Sequence, residues 1–576
     1  MKAFLRKRLP SHNEARENAS SVTNQVLAES DISIILQGFE WYTPGEFSDI
    51  VQDAQGIVKD KEISHWKHLA DLLPTFADLG ITEIWIPPAC KASNVKDVGY
   101  AIYDLYDLGE FEAKGSVRTR WGTKQELKDL CAEAERHGIG IIFDAVLNHK
   151  AAADASEECL AIRVDPRNRL KDLDRRPRTI ESWTRFNFEG RKGRYSSLRY
   201  NHDHFSGVDW DSKQREKAIF KFVGQRPDGS KKDWAQDVGR TENSNYDYLM
   251  FADVDFANHE VKEDVKRWGR WLIDVLPGVR GFRLDAIKHY SASFQQEFIE
   301  YISKYAAEKQ RKIWFVGEYW LANSQALSQH IDKSFQGKMN MFDVKLMYNF
   351  HDISEGRLRD LRRVFDKSLL SIDPDHAVTF VTNHDTQETQ SLAAPVQPWF
   401  IPHAYALILL RKHGQPCVFW GDIYGTNGPQ PRLPACGGRL LRLVKARKLL
   451  AHGNQIDYFS QDREYVAWTR KGTQSAQGIA VIISISWSWK RMRILVGTDF
   501  AGQIWTDMMG WAWSGVLIDN NGYGDFPVGP RSIGLWAWQK LPGREAVDDL
   551  IYPEEAQRAP DSDVVGEDVL PPEIRS

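Results

Sequence analysis

Eight short stretches of this chain run apolar without alternation and finish on polar residues. They are SIILQGFEW (33–41), TEIWIPPA (82–89), GIIFDAVLNH (140–149), GFRLDAIKH (281–289), IWFVGEYW (313–320), MNMFDVKL (339–346), AVTFVTNHD (377–385) and PCVFWGD (416–422). An unbroken run of Val, Ile, Leu and Phe reads as a strand covered on both faces, which leaves its polar end at the rim of the sheet. Helical patterns lie between these runs. In TKQELKDLCAEAERHG (123–138) a threonine caps the start, apolar residues recur every three or four positions, and Gly138 supplies the stop. Strand and helix alternating eight times predict an α/β chain folded as a (β/α)8 TIM barrel; a doubly wound sheet is the other solution of the same pattern.

Two regions break the alternation. The third and fourth strands are separated by about 130 residues, far more than a normal crossover. Segment 150–258 is rich in Arg, Asp, Gly, Tyr and Trp with turn signals throughout, which predicts an inserted, irregular β-rich domain. From residue 444 onward the pattern becomes two-residue alternation, in EYVAWTR (464–470), GIAVIISISW (478–487), RMRILVG (491–497) and SIGLWAWQ (532–539). It predicts a C-terminal all-β sandwich over 444–541, leaving 32–149 and 259–443 for the barrel. Residues 1–31 and the acidic, proline-containing 542–576 carry no periodicity and are expected to be disordered tails.

Composition narrows the partners. The net charge of −4 on 576 residues offers no global field for nucleic acid or an anionic membrane, so an uncharged partner is expected. Aromatic residues make up 12% of the chain, 21 of them Trp, and their flat faces suit sugar rings even though most are expected to fill core. Five cysteines without CxxC spacing argue for free thiols. MKAFLRKRLPSHNEAR lacks the apolar core of a secretory signal, and no window reaches the roughly 18 apolar residues of a membrane span. A cytoplasmic monomer is the expectation.

The strand ends carry the candidate chemistry. Asp144, Asp285, Glu318 and Asp385 close four separate strands, and a parallel barrel gathers such residues at one rim. Retaining cleavage of a glycosidic bond needs a carboxylate nucleophile and a second carboxylic acid, with about 5–5.5 Å between them. A further negative charge stabilises the cationic transition state. Asp285, Glu318 and Asp385 fit that requirement in number and kind. Arg283, two residues before Asp285 on a strand, shares its face and can hold the carboxylate ionised. His149 and His384 are placed to donate to sugar hydroxyls.

In this order and spacing, DAVLNH, GFRLDAIKH, GEYW and TNHDT resemble the α-amylase family of glycoside hydrolases. GITEIWIPPACKASNVKDVGYAIYDLYDLGEF (80–111), RTRWGTKQEL (118–127) and NYDYLMFADVDF (245–256) are similar to the bacterial liquefying members, and the likeness covers residues 32–540. The resemblance implies Asp285 as nucleophile, Glu318 as acid/base and Asp385 as transition-state stabiliser. It implies Tyr103 as a stacking platform, with His149, Arg283 and His384 gripping the same sugar, Lys288 and His289 contacting the sugar on the leaving side, and Trp320 lining the cleft. Trp41, Tyr42 and Gln37 extend the cleft on the other side. It also implies a structural Ca2+ held by Asn148, Asp247, Asp253 and the carbonyl of His289, an oxygen set that suits calcium. Ser206 and Ala257 stand where the liquefying enzymes carry acids, so one calcium is expected rather than a cluster. The expected substrate is an α-glucan: starch, glycogen or maltooligosaccharides. A 4-α-glucanotransferase using the same intermediate stays open, as does a noncatalytic glucan-binding relative.

Overall fold

The structure, a computed structural model, describes residues 32–52, 58–459, 462–473 and 477–550. Residues 1–31 and 551–576, expected to be tails, lie outside the described residues. Each of the eight apolar runs contains a strand: β1 (Ile35–Gln37), β2 (Glu83–Trp85), β3 (Gly140–Ala145), β4 (Val279–Leu284), β5 (Trp314–Gly317), β6 (Asn340–Phe342), β7 (Ala377–Phe380) and β8 (Gln415–Phe419). They close into a parallel barrel in the order β1, β8, β7, β6, β5, β4, β3, β2. The strands are three to six residues long, so the polar residues follow directly at their C-terminal ends. The helix Lys124–Arg136 begins at Thr123, where a reciprocal capping box with Glu126 satisfies two orphan amides. It ends before Gly138, whose φ of +74° a side chain would resist.

The described residues form two compact units. One holds 32–43, 75–82 and 343–550, and the other holds 44–74 and 83–342. In the second unit the inserted segment is more regular than expected. Ala155–Asp165, Asn168–Asp172, Arg178–Arg185, Phe205–Asp211, Glu216–Phe222, Ala252–Val254 and His149–Lys150 join in a seven-stranded sheet, with Ile162, Val164, Trp234 and Tyr248 as its core. Its strands were hard to read because their buried positions are often small or polar: Ile180, Ser182 and Thr184 face inward along Arg178–Arg185. A hairpin of Glu46–Gln52 with Val58–Ser64 also has no counterpart in the sequence reading.

In the first unit the C-terminal region forms a six-stranded sheet with a two-stranded partner, Lys490–Leu495 with Tyr523–Val528. Ile482, Ile494, Trp505, Phe526 and Trp536 fill its core. It is tied to the barrel helices of its own unit: Trp468 Nε1 donates to the Leu410 carbonyl at 3.2 Å and His403 Nε2 to the Ser484 carbonyl at 2.9 Å. One boundary needs correction. Residues 542–550, assigned to a disordered tail, contain the short helix Glu545–Asp548, with Val547 fully buried. Arg544 explains the order: its guanidinium donates to the carbonyls of Ala537 and Trp538 and its Nε lies 2.6 Å from Asp548.

Candidate active site

In the second unit the parallel register places Arg283 of β4 opposite Asp144 of β3. Arg283 is 1% exposed, and Nη1 lies 2.8 Å from Asp144 Oδ1 and 2.5 Å from Asp285 Oδ1, while Nη2 is 3.7 Å from Glu318 Oε2. Three carboxylates therefore share one guanidinium at neighbouring strand ends. Burial alone would lower the Arg283 pKa, but Asp144 and Asp285 raise it well above the ordinary value. Burial pushes Asp144 up in turn, and Arg283 opposes it. Asp144 also accepts from Trp85 Nε1 at 2.9 Å and from the Tyr100 hydroxyl at 3.0 Å. The turn beyond Asp285 is strained: Ala286 sits at φ +49°, in the left-handed region that β-carbons resist, and its amide donates to Glu318 Oε2 at 2.8 Å. Backbone geometry thus fixes the two acids through adjacent residues.

Around this cluster the expected sugar contacts meet different fates. Half-buried Trp320 stands two residues beyond Glu318. His149 is buried, donates Nε2 to the Tyr100 carbonyl at 2.8 Å, and is lowered by burial to about 4. His289, also lowered by burial to about 4, donates Nδ1 to the Tyr246 carbonyl at 2.6 Å. Lys288 pairs with Glu242 at 2.9 Å and lies over the Tyr246 ring. Tyr103 corrects the reading. Its hydroxyl meets both Asp154 oxygens, Lys114 covers its ring at 4.1 Å, and Phe186 and Phe188 pack beside it. At 2% exposure it offers no platform. Tyr100, three residues earlier in the same segment, reaches the cluster instead, with the Arg283 guanidinium 5.8 Å from its ring centre. Gly99 at φ +111° marks the turn that delivers it, a signal available in the sequence.

The first unit carries the remaining candidates. His384 Nδ1 lies 3.0 Å from Gln37 Nε2, its Nε2 lies 3.4 Å from Asp385 Oδ2, and its ring is parallel to Trp41 with centroids 6.1 Å apart. Tyr42 meets Thr389 Oγ1 at 2.8 Å through its hydroxyl.

Among the described residues no three His, Cys, Asp or Glu side chains converge as a ready metal shell. The proposed calcium residues nevertheless fit a cation. Asn148 Oδ1 and Asp253 Oδ1 are buried with no hydrogen-bond partner. Burial raises Asp253 well above the carboxylate range, with Asp247 adding to the shift, and raises Asp247 to about 8, with Asp255 and Asp237 adding to it. Unpaired acceptors and crowded acids are what a cation would relieve. Ser206 donates to Asp253 Oδ2. Asp255 differs because Arg226, itself buried, forks onto it with Nε to Oδ2 at 2.7 Å and Nη2 to Oδ1 at 3.1 Å.

A parallel barrel with acids gathered around an arginine at its strand ends is the framework of a barrel enzyme. The comparisons give the particular family: the model described as Alpha amylase, catalytic domain matches residues 49–476, and that described as Alpha-amylase C-terminal matches 479–537. The chain belongs to the α-amylase family. It is 40% identical over 506 residues to an α-amylase of Bacillus licheniformis, covering 87% of this chain and 93% of that one. It is 37% identical over 517 residues to a cytoplasmic α-amylase of Escherichia coli, covering 88% and 99%. The fold is also shared with the α-amylase of Geobacillus thermoleovorans solved with acarbose, at a TM-score of 0.53 and 16% identity over 88% of this chain and 97% of that one.

Proposed function

We propose that this chain cleaves internal α-1,4-glucosidic bonds of starch, glycogen or maltooligosaccharides with retention of configuration. The supporting observation is the pair Asp285 and Glu318 on neighbouring strand ends, both within reach of Arg283. In the first step an Asp285 oxygen attacks the anomeric carbon, the glycosidic C–O bond breaks, and Glu318 passes its proton to the leaving oxygen. In the second, Glu318 takes a proton from water, the water oxygen attacks the same carbon, and the Asp285 ester bond breaks. Arg283 supplies the opposite charge beside the nucleophile, and Asp385 adds the negative charge that favours the cationic transition state. Tyr100 takes the platform role first given to Tyr103.

Asn148, Asp247, Asp253 and the His289 carbonyl would hold one calcium ion, which supplies charge neutralisation and stiffness and no reacting group. Arg226 already neutralises Asp255, so a second ion has less to do there. The barrel at 32–149 and 259–443, the insert at 150–258 and the β module from 444 complete the proposal. A cytoplasmic location belongs to it too, supported by the name of the Escherichia coli relative, and so does a monomeric state. Proton NMR during the first seconds of maltoheptaose cleavage tests the reaction. An α-anomeric product is expected; a β-anomeric product removes the nucleophile assignment. Chains longer than the starting sugar would move the reading to glycosyl transfer.

A further inference from the structure

The turn after β1 carries a carboxylate that the reaction above does not use. Glu40 is 0% exposed, and a carboxylate so deeply buried is costly unless it is hydrogen bonded. Donors from three loops meet it. Its Oε2 accepts from the Tyr42 amide at 2.8 Å and from Gln387 Nε2 at 3.0 Å. Its Oε1 accepts from the Asn427 amide at 3.3 Å and from Asn427 Nδ2 at 3.1 Å. The turn itself closes on Thr43, whose Oγ1 accepts from the Glu40 amide at 2.8 Å and whose amide donates to the Glu40 carbonyl at 3.1 Å.

Gln387 links the carboxylate to Trp41. With its Nε2 turned to Glu40, its Oε1 accepts from the Trp41 amide at 3.0 Å, so the side-chain amide has one orientation that satisfies both ends. Trp41 lies within 2° of parallel to His384, the neighbour of Asp385. On the far side of the turn, Tyr42 bonds Thr389 and Gln390, and a side chain at Gly428 would collide with the Tyr42 ring at 2.4 Å. An apolar residue at 40 would fill the same volume without desolvating a charge; what it would not do is fix the orientation of three loops at once.

We infer that Glu40 is a positioning residue, which locks the loops after β1, after β7 and after the helix Trp420–Tyr424 so that Trp41 and His384 present a preformed face to the glucan. The inference rests on the reading of the substrate given above. Preorganisation of this kind affects binding more than bond cleavage.

The test is E40Q, which keeps the volume but offers one acceptor oxygen where four donors converge. KM for maltoheptaose is expected to rise about 10-fold or more while kcat changes less than about threefold, the pattern of lost binding shared by ground and transition states. Q387L, which cuts the relay and leaves Glu40, is expected to raise KM similarly, and the double variant no further, since the two act through one path. A lowered melting temperature with unchanged KM in both variants would make the network merely structural and overturn the assignment. Failure of both variants to fold would do the same, by making Glu40 a folding determinant. Calorimetry separates this from the proposed reaction: in an E318Q background, maltoheptaose should bind, and adding E40Q should weaken Kd about 10-fold. A hydrolytically silent wild type that still shows this shift would retire the reaction and leave Glu40 in its role.

Discussion

Asp144, Asp285 and Glu318 gather around Arg283 at the barrel rim, while Asn148, Asp247 and Asp253 lie as deeply buried near the inserted sheet without such a partner. At the rim an internal guanidinium compensates the acids at 2.5 to 3.7 Å. Near the insert, among the described residues, no ion pair reaches Asp247 or Asp253, and Arg169 acts on them only electrostatically. A buried carboxylate must be paired, protonated or metal-bound. The rim cluster takes the first course, which keeps charge ready for chemistry. The insert cluster leaves two acceptor oxygens unpaired, which favours an external cation. Asp255 sits beside it yet takes the rim's solution, through Arg226.

The sharpest way to break this comparison is to remove the charges assigned to chemistry. D285N and E318Q should each lower turnover on starch by about 10²–10⁴-fold while leaving the melting temperature near that of the wild type. If either purified variant kept more than roughly a tenth of the activity, charge at the rim would be structural and the contrast with the insert would vanish.

R226M asks whether the internal cation at Asp255 is needed. Removing one partner of a buried pair strands the other and costs about 3–5 kcal/mol. Thermal unfolding should show a clear drop in the melting temperature, and a drop that added calcium largely reverses would show that metal can replace arginine at this position. An unchanged melting temperature would show that Asp255 has other means of compensation.

Calcium removal acts on the other cluster. At 100 times its dissociation constant a bound ion adds about 2.7 kcal/mol, so exhaustive chelation should lower the melting temperature and calcium should restore it. Elemental analysis should find one ion per chain. No metal and no shift on chelation would leave Asn148, Asp247 and Asp253 as a polar core, while two or more ions would show that Ser206, Ala257 and Arg226 do not limit the site.

How much of this was legible in the sequence depends on which physical signal carried it. All eight barrel strands were readable because a strand covered on both faces is apolar without interruption, and the catalytic candidates were readable because they end those strands. Register was not. Nothing in the sequence says that Arg283 lies opposite Asp144, so the shared guanidinium emerges only when β3 and β4 pair. Tyr100 and Tyr103 are both aromatic in one segment, and the partners Asp154 and Phe188, more than 50 residues away, decide which one is buried. Nothing in the sequence pairs Arg226 with Asp255, 29 residues further on. The inserted strands were obscured because their inward positions include Ser182 and Thr184, whose burial depends on neighbouring strands rather than on their own apolarity.

The smallest expected effect concerns a third way of burying charge, in which backbone carbonyl oxygens share the compensation, joined at Arg544 by Asp548. Arg544 is 8% exposed and donates to the Ala537 and Trp538 carbonyls, while Arg442 donates Nε to the Leu550 carbonyl at 2.9 Å and Nη1 to the Met508 carbonyl at 2.7 Å. Ending the chain at residue 550 keeps these contacts, and a 31–550 protein should match the full-length melting temperature and specific activity. Ending it at 541 removes Arg544, the buried Val547 and one acceptor of Arg442. The lost Val547 burial is worth about 1.5 kcal/mol, and Arg442 retains Met508, so the melting temperature should fall by a few degrees with turnover unchanged. Equal melting temperatures for 31–541 and 31–550 would show that segment 542–550, with Arg544 and Val547, adds nothing to stability. A loss of activity in 31–550 would show that residues 1–30 or 551–576 contribute to turnover.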